Sequence, residues 1–131
     1  MAGSLLDTTV LIDALRGHPA ADRVRRLRAA GDDVPYVSAI NVEEIVRGLR
    51  DGEEAQVARL VDGLRLAPIA RAEAERAGRW RRQFAARGVT LSQADCLIAA
   101  AALGVGARLI TGNPKDFPMT ELTVEHWPVG E

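Results

Sequence analysis

Apolar and polar positions alternate along this chain in two rhythms. Short apolar runs without helical spacing read as buried strands: "SLL" ending at Leu6, "PYVS" (Pro35–Ser38), "LRLAPI" (Leu64–Ile69) and "ARLIT" (Ala107–Thr111). Between them, apolar residues recur at helical spacing and predict helices over Thr8–Arg16, Ala20–Ala29, Asn41–Leu49, Glu53–Leu64, Arg71–Arg87 and Ser92–Leu103. Gly31 and Gly52 punctuate the series. In the first helix Val10, Leu11 and Leu15 share a face. The last, "DCLIAAAAL", is apolar nearly all round, which predicts a central buried helix. The C-terminal "LTVEHWPVGE" is expected to add a short edge strand that Pro128 ends. Strand and helix in alternation define an α/β layer fold around a parallel sheet.

Length and composition refine this picture. With 131 residues the chain fits a single domain, 1–131, with one well-buried core. It is 47% hydrophobic but only 4% aromatic, so aliphatic side chains make that core. Cys96 stands alone, which excludes an intramolecular disulfide or a cysteine-based zinc site within the chain and favours a reducing compartment. No basic segment precedes the first apolar stretch, an acid interrupts that stretch too early for a secretory signal, and no run is as long as a membrane span; a cytoplasmic protein is expected.

The net charge of −1 excludes a polyelectrolyte with global attraction to nucleic acid, although all but Lys115 of the 17 basic residues are arginine. Arginines cluster in "DRVRRLR" (Asp22–Arg28) and "RAGRWRRQFAAR" (Arg76–Arg87), the latter with Trp80 and Phe84 at helical spacing. Such a stripe suits phosphates. The plainer reading is a solvated helix face.

The acids carry more information. Asp7 closes the first strand, Glu44 lies one turn into the helix after the second, Asp95 one turn into the buried helix, and Asp116 follows "ARLIT" across a tight turn. In an open parallel sheet those points gather beyond the carboxyl ends of the strands, where such folds bind ligands. Like charges held that close need protons or a cation to neutralise them, and a divalent metal is the economical solution. Each acid also has a structural reading. Asp7 suits a helix N-cap. Asn41 to Glu44, and Ser92 to Asp95 with Leu91 and Cys96 as an apolar staple, fit capping boxes. Asp116 lies in the turn-forming "GNPKDF". Their coincidence at one sheet edge favours a shared site. Glu43 with Arg47 (i, i+4) and Asp13 with Arg16 (i, i+3) are read instead as surface charges. Spacing alone does not separate Glu43 from Glu44, since neither joins the stripe of Val42, Ile45, Val46 and Leu49.

At these residues the sequence resembles the PIN-domain ribonucleases, most closely the VapC type of toxin from bacterial toxin–antitoxin pairs. "LLDTTVLIDALRG" resembles the opening motif, with its acid at Asp7 and its hydroxyl residue at Thr9. "VSAINVEEIVRGL" is similar to the second, whose acid falls on Glu44 and whose usual Ser or Thr is replaced by Asn41. "LSQADCLIAAAAL" resembles the third, with Asp95, and "LITGNPKDF" the fourth, with Thr111, Asn113 and Asp116. The resemblance covers nearly the whole chain, with the motifs in order. It implies a PIN-like three-layer fold with a central, mainly parallel sheet between helices, Mg²⁺ or Mn²⁺ at the acids, and endonucleolytic cleavage of structured RNA such as tRNA or rRNA. It further implies a homodimer and a small VapB-like antitoxin partner whose tail blocks the site.

The chemistry agrees with the residue types. Hard divalent cations prefer oxygen ligands, so Asp and Glu suit Mg²⁺ or Mn²⁺, whereas zinc would want His or Cys. The histidines, His18 and His126, read as surface or loop residues, and Cys96 as inert packing. Such an ion activates water and offsets charge on phosphoryl oxygens. Asp7 and Asp95 are assigned as principal metal ligands. Glu44 and Asp116 hold the ion's water or a second ion, or act as base. Thr9, Thr111 and Asn113 are expected to orient the carboxylates. Two rivals use the same residues: a nuclease directed at DNA, and a non-catalytic α/β interaction module whose acids only cap helices.

Overall fold

The computed structural model describes residues 2–17 and 19–130. Its five strands, β1 (Ala2–Leu6), β2 (Asp33–Ser38), β3 (Arg65–Ala67), β4 (Ala107–Thr111) and β5 (Val124–His126), form one parallel sheet in the order β3-β2-β1-β4-β5. The helices are α1 (Thr8–Leu15), α2 (Pro19–Ala30), α3 (Ala39–Arg47), α4 (Glu54–Asp62), α5 (Arg71–Ala85) and α6 (Gln93–Gly104), with a 3-10 turn over Pro114–Asp116. The strand order runs outward from β1 in both directions, so the chain reverses its winding between β1 and β4. A crevice opens at such a switch point, and Asp7 is the first residue beyond β1 there.

Register and strand periodicity divide the core in two. Leu5 pairs with Leu109 and Leu6 with Ile110, and successive strand residues face opposite sides. Leu5 and Leu109 join Trp80, Phe84, Ile98 and the alanines of α6 on one side, while Leu6 and Ile110 join Val10, Leu11, Val24, Ile45 and Val57 on the other. Both faces are thus covered by helices, as parallel sheets require. The near-continuous burial of α6 from Ile98 to Ala102 is the expected central helix.

Local chemistry explains the helix starts and corrects one of them. Ser38, not Asn41, caps α3: its hydroxyl accepts from the Asn41 backbone N–H at 3.3 Å, and its own N–H donates to Asn41 Oδ1 at 3.0 Å. The helix therefore begins at Ala39, before the expected start, because the serine ending β2 has the extended backbone that a cap needs. Ser92 caps α6 as expected, accepting from Asp95 N–H at 3.0 Å, with Leu91 and Cys96 both buried.

Other departures have equally local causes. The third strand spans only Arg65–Ala67, because it lies at the sheet edge and Pro68 can donate no ladder bond; Leu66 is 58% exposed there. Val46, expected on the apolar stripe of α3, is 52% exposed. Asp13 is not a surface charge: it is 5% exposed, and its Oδ1 accepts from Gly130 N–H at 2.9 Å where the C-terminal segment folds over α1. Trp80 and Phe84 point into the core, so they are not part of an exposed stacking surface. Trp80 Nε1 donates to Glu121 at 2.9 Å, and Arg76 and Arg87 lie over the two rings. His126 is exposed at the end of β5, and His18 lies outside the described residues.

Candidate active site

Asp7 stands at the N-cap position of α1, yet its side chain makes no capping bond. It is 5% exposed and is held from both sides: Thr111 Oγ1 donates to Oδ2 at 2.7 Å, and Asn41 Nδ2 lies 3.5 Å from Oδ1. Asn41 also donates to Thr8 Oγ1 at 3.0 Å, and Thr8 in turn donates to Glu44 Oε1 at 2.6 Å. A relay of neutral groups thus links the end of β1, the start of α3 and the end of β4. Thr111 further accepts from Asn113 N–H at 3.0 Å, which fixes the loop leading to Asp116.

Asp7, Glu44, Asp95 and Asp116 all line one cleft of about 240 Å³, together with Thr8, Thr9, Ile12, Arg47 and Asn113. Glu43 points away and is exposed, whereas Glu44 is half-buried. Helical geometry makes this distinction: Glu44 follows Asn41 by three positions and shares its face. Thr9 also lines the cleft, but among the described residues no bond from it to a carboxylate is seen. Its hydroxyl accepts from Gly112 N–H at 3.0 Å and pins the β4 loop to α1. That close approach favours glycine, since a Cβ at residue 112 would lie 3.2 Å from Thr9 Oγ1 and 2.9 Å from a Val129 methyl, and both side chains would have to give way. Thr8 and Asn41 are the residues that sequence reasoning missed as site supports. Their signal was modest: a hydroxyl directly after Asp7, and an amide one helical turn before Glu44.

The carboxylates feel one another. Burial pushes the Asp7 carboxyl up to about 6; the Thr111 hydroxyl and the Thr8 backbone N–H oppose this, while Asp95 and Glu44 add to it. Burial also raises Asp95, against the bond from Ser92, and Asp116 and Glu44 reinforce the rise. Among the described residues, no ion pair joins any of the four acids to a cation, and no three Asp, Glu, His or Cys side chains form a ready-made metal cage. The four acids offer only hard oxygen donors, with no His or Cys among the described lining residues, and that donor set fits Mg²⁺ or Mn²⁺. Mg²⁺ usually keeps several waters and takes only one or two carboxylates, with the rest of its shell from substrate phosphates.

A parallel sheet with acids gathered at its switch point defines an α/β protein with an acidic crevice at the carboxyl end of its strands. The family model for the PIN domain matches residues 4–120, and the chain belongs to that family, in its VapC ribonuclease branch. Ribonuclease VapC10 of Mycobacterium tuberculosis is 35% identical over 117 residues, covering 89% of this chain and 87% of the relative. Among solved structures, VapBC-1 from nontypeable Haemophilus influenzae is 25% identical with a TM-score of 0.80, over 95% of this chain and 98% of the other. A toxin–antitoxin complex from Klebsiella pneumoniae is 25% identical with a TM-score of 0.74, over 92% and 95%.

Proposed function

We propose that residues 1–131 form a single metal-dependent endoribonuclease unit, the toxin of a cytoplasmic toxin–antitoxin pair, which hydrolyses phosphodiester bonds in structured RNA such as tRNA or rRNA. The observation that carries this reading is the convergence of Asp7, Glu44, Asp95 and Asp116 on one cleft in a VapC-type chain. Asp7 and Asp95 hold Mg²⁺ or Mn²⁺, with Glu44 and Asp116 at its margin. The ion supplies Lewis-acid stabilisation of the phosphoryl oxygens and a lowered pKa for attacking water. Thr111 and Asn41 fix Asp7, and Thr8 fixes Glu44, so the carboxylates meet the substrate already oriented. A VapB-like antitoxin is the natural partner, since the similar Klebsiella protein was solved as a toxin–antitoxin complex. A homodimer is part of the same reading.

The test incubates purified protein with total RNA and with single-stranded DNA, in Mn²⁺ or Mg²⁺ and in excess EDTA. Metal-dependent RNA cleavage is expected. Asp95→Asn and Glu44→Gln should each lower it by about 100-fold or more, while Glu43→Gln leaves it unchanged. Cleavage persisting in EDTA, or full activity in Asp95→Asn, overturns the reading. Cleavage of DNA alone would redirect it to a DNA nuclease.

A further inference from the structure

We infer that Arg47 is the phosphate-binding residue of this cleft, gripping the RNA backbone beside the acids; this rests on the ribonuclease reading above. RNA is a polyanion, and a pocket lined by four carboxylates repels it. A bound divalent ion offsets part of that charge, but substrate must still be held in place by the protein. Among the described residues, Arg47 is the one cationic side chain that lines the acidic cleft.

Its position explains its availability. Arg47 is the last residue of α3, three positions after Glu44, so it shares that residue's side of the helix, while Ile45 occupies the buried side. The i, i+4 spacing suggested that Arg47 would be spent on Glu43 at the surface. No such pair forms, and among the described residues no carboxylate lies within ion-pair reach of Arg47. Glu44 is engaged by the Thr8 hydroxyl at 2.6 Å. Arg16, on α1, does not line the cleft and lies 3.7 Å from Glu53, while Arg108 sits at the opposite end of the sheet, bound to Asp33, Glu125 and Ser4. An exposed guanidinium without a partner, at the rim of a cleft built for a phosphodiester, presents the planar fork that phosphate oxygens accept bidentately.

Binding, not cleavage, is the discriminating measurement. Affinity for unfractionated tRNA and for bulk rRNA is measured across a salt series in EDTA, with total-RNA cleavage in Mn²⁺ run in parallel. Arg47→Ala should weaken binding by about 10- to 100-fold and flatten the slope of log affinity against log salt by about 0.7–0.9, the signature of one lost phosphate contact. Arg47→Lys should keep the salt slope but recover only part of the affinity, since the charge survives and the fork does not. Both variants should melt with the wild type, because Arg47 is exposed and unpaired. Wild-type salt slope and affinity in Arg47→Ala overturn the inference while leaving the nuclease reading intact. An equal loss in Arg47→Lys and Arg47→Ala, with a lowered melting temperature, also overturns it, by making the effect structural. A wild type that neither binds nor cleaves RNA overturns both.

Discussion

The two ends of the sheet treat their carboxylates in opposite ways. Toward the amino end, Arg108 on β4 reaches 3.2 Å from Asp33 and 2.7 Å from Glu125, and its Nε donates to Ser4 Oγ at 2.8 Å. Ser4 donates onward to Asp33 Oδ2 at 2.8 Å, so β2, β1, β4 and β5 are laced across one face. At the carboxyl end, Asp7, Glu44, Asp95 and Asp116 share a cleft with hydroxyls, an amide and one another, and Arg47 at its rim pairs with none of them among the described residues. The fold balances negative charge internally at one end and leaves it for something external at the other. An acid with an arginine on it holds the sheet together; an acid held only by neutral donors is ready for a cation.

The largest expected effect breaks that comparison in both directions. Asp7→Asn should lower RNA cleavage by about 100-fold or more while leaving a folded protein. Arg108→Met should do the reverse. It strips the partner from partly buried Asp33 and should cost about 1–3 kcal/mol of stability, with activity per folded molecule retained. Melting curves and cleavage rates on the same two preparations check both halves. Loss of activity in a fully folded Arg108→Met protein would show that the two ends are not independent.

A second prediction follows from burial at the carboxyl end alone. Asp7 has a folded-state pKa of about 6 against an ordinary value of 3.8, so the folded protein binds that proton more tightly than the unfolded chain. The stability this confers is fully present below the unfolded value and is lost as pH rises through about 6. Two pH units correspond to about 3 kcal/mol, and Asp95, raised by burial as well, acts in the same direction. In EDTA the protein should therefore melt higher near pH 4.5 than at pH 7, and Asp7→Asn should flatten the dependence. A wild type that gains stability over that range would mean that Asp7 is not crowded and buried as described.

The comparison also shows what a linear sequence can carry. Element positions were legible because apolar periodicity is local: β4 is Ala107–Thr111 as read, and α6 differs from its expected span only at its ends. The gathering of the four acids was legible because strand ends in a parallel sheet share an edge. Side-chain partnerships were not. Asp13 looked like a surface ion-pair residue because its partner, the Gly130 backbone, is remote in sequence. Asn41 looked like a cap because Ser38 supplies the same local chemistry three positions earlier, which leaves the Asn41 amide free to face Asp7 and Thr8. Arg47 looked paired because spacing places a carboxylate within reach but does not decide where a flexible side chain goes.

The most direct test of the central claim, that these carboxylates crowd one crevice and await a cation, is a pair of melting curves for wild type and Asp95→Asn, in EDTA and in Mn²⁺. Asn retains the backbone bond from residue 95 to Ser92, so the helix cap survives. It forgoes the favourable interaction of a charge with the helix N-terminus, worth about 0.3–1 kcal/mol, but relieves repulsion from Asp7, Glu44 and Asp116. In EDTA the variant should melt higher, by about 2–5 °C. In Mn²⁺ the order should reverse, because a ligand that binds only the folded state stabilises by mass action and the variant binds it poorly. A variant that melts lower in EDTA, with Mn²⁺ shifting both proteins equally, would contradict the shared crevice and leave Asp95 as an ordinary first-turn acid of α6.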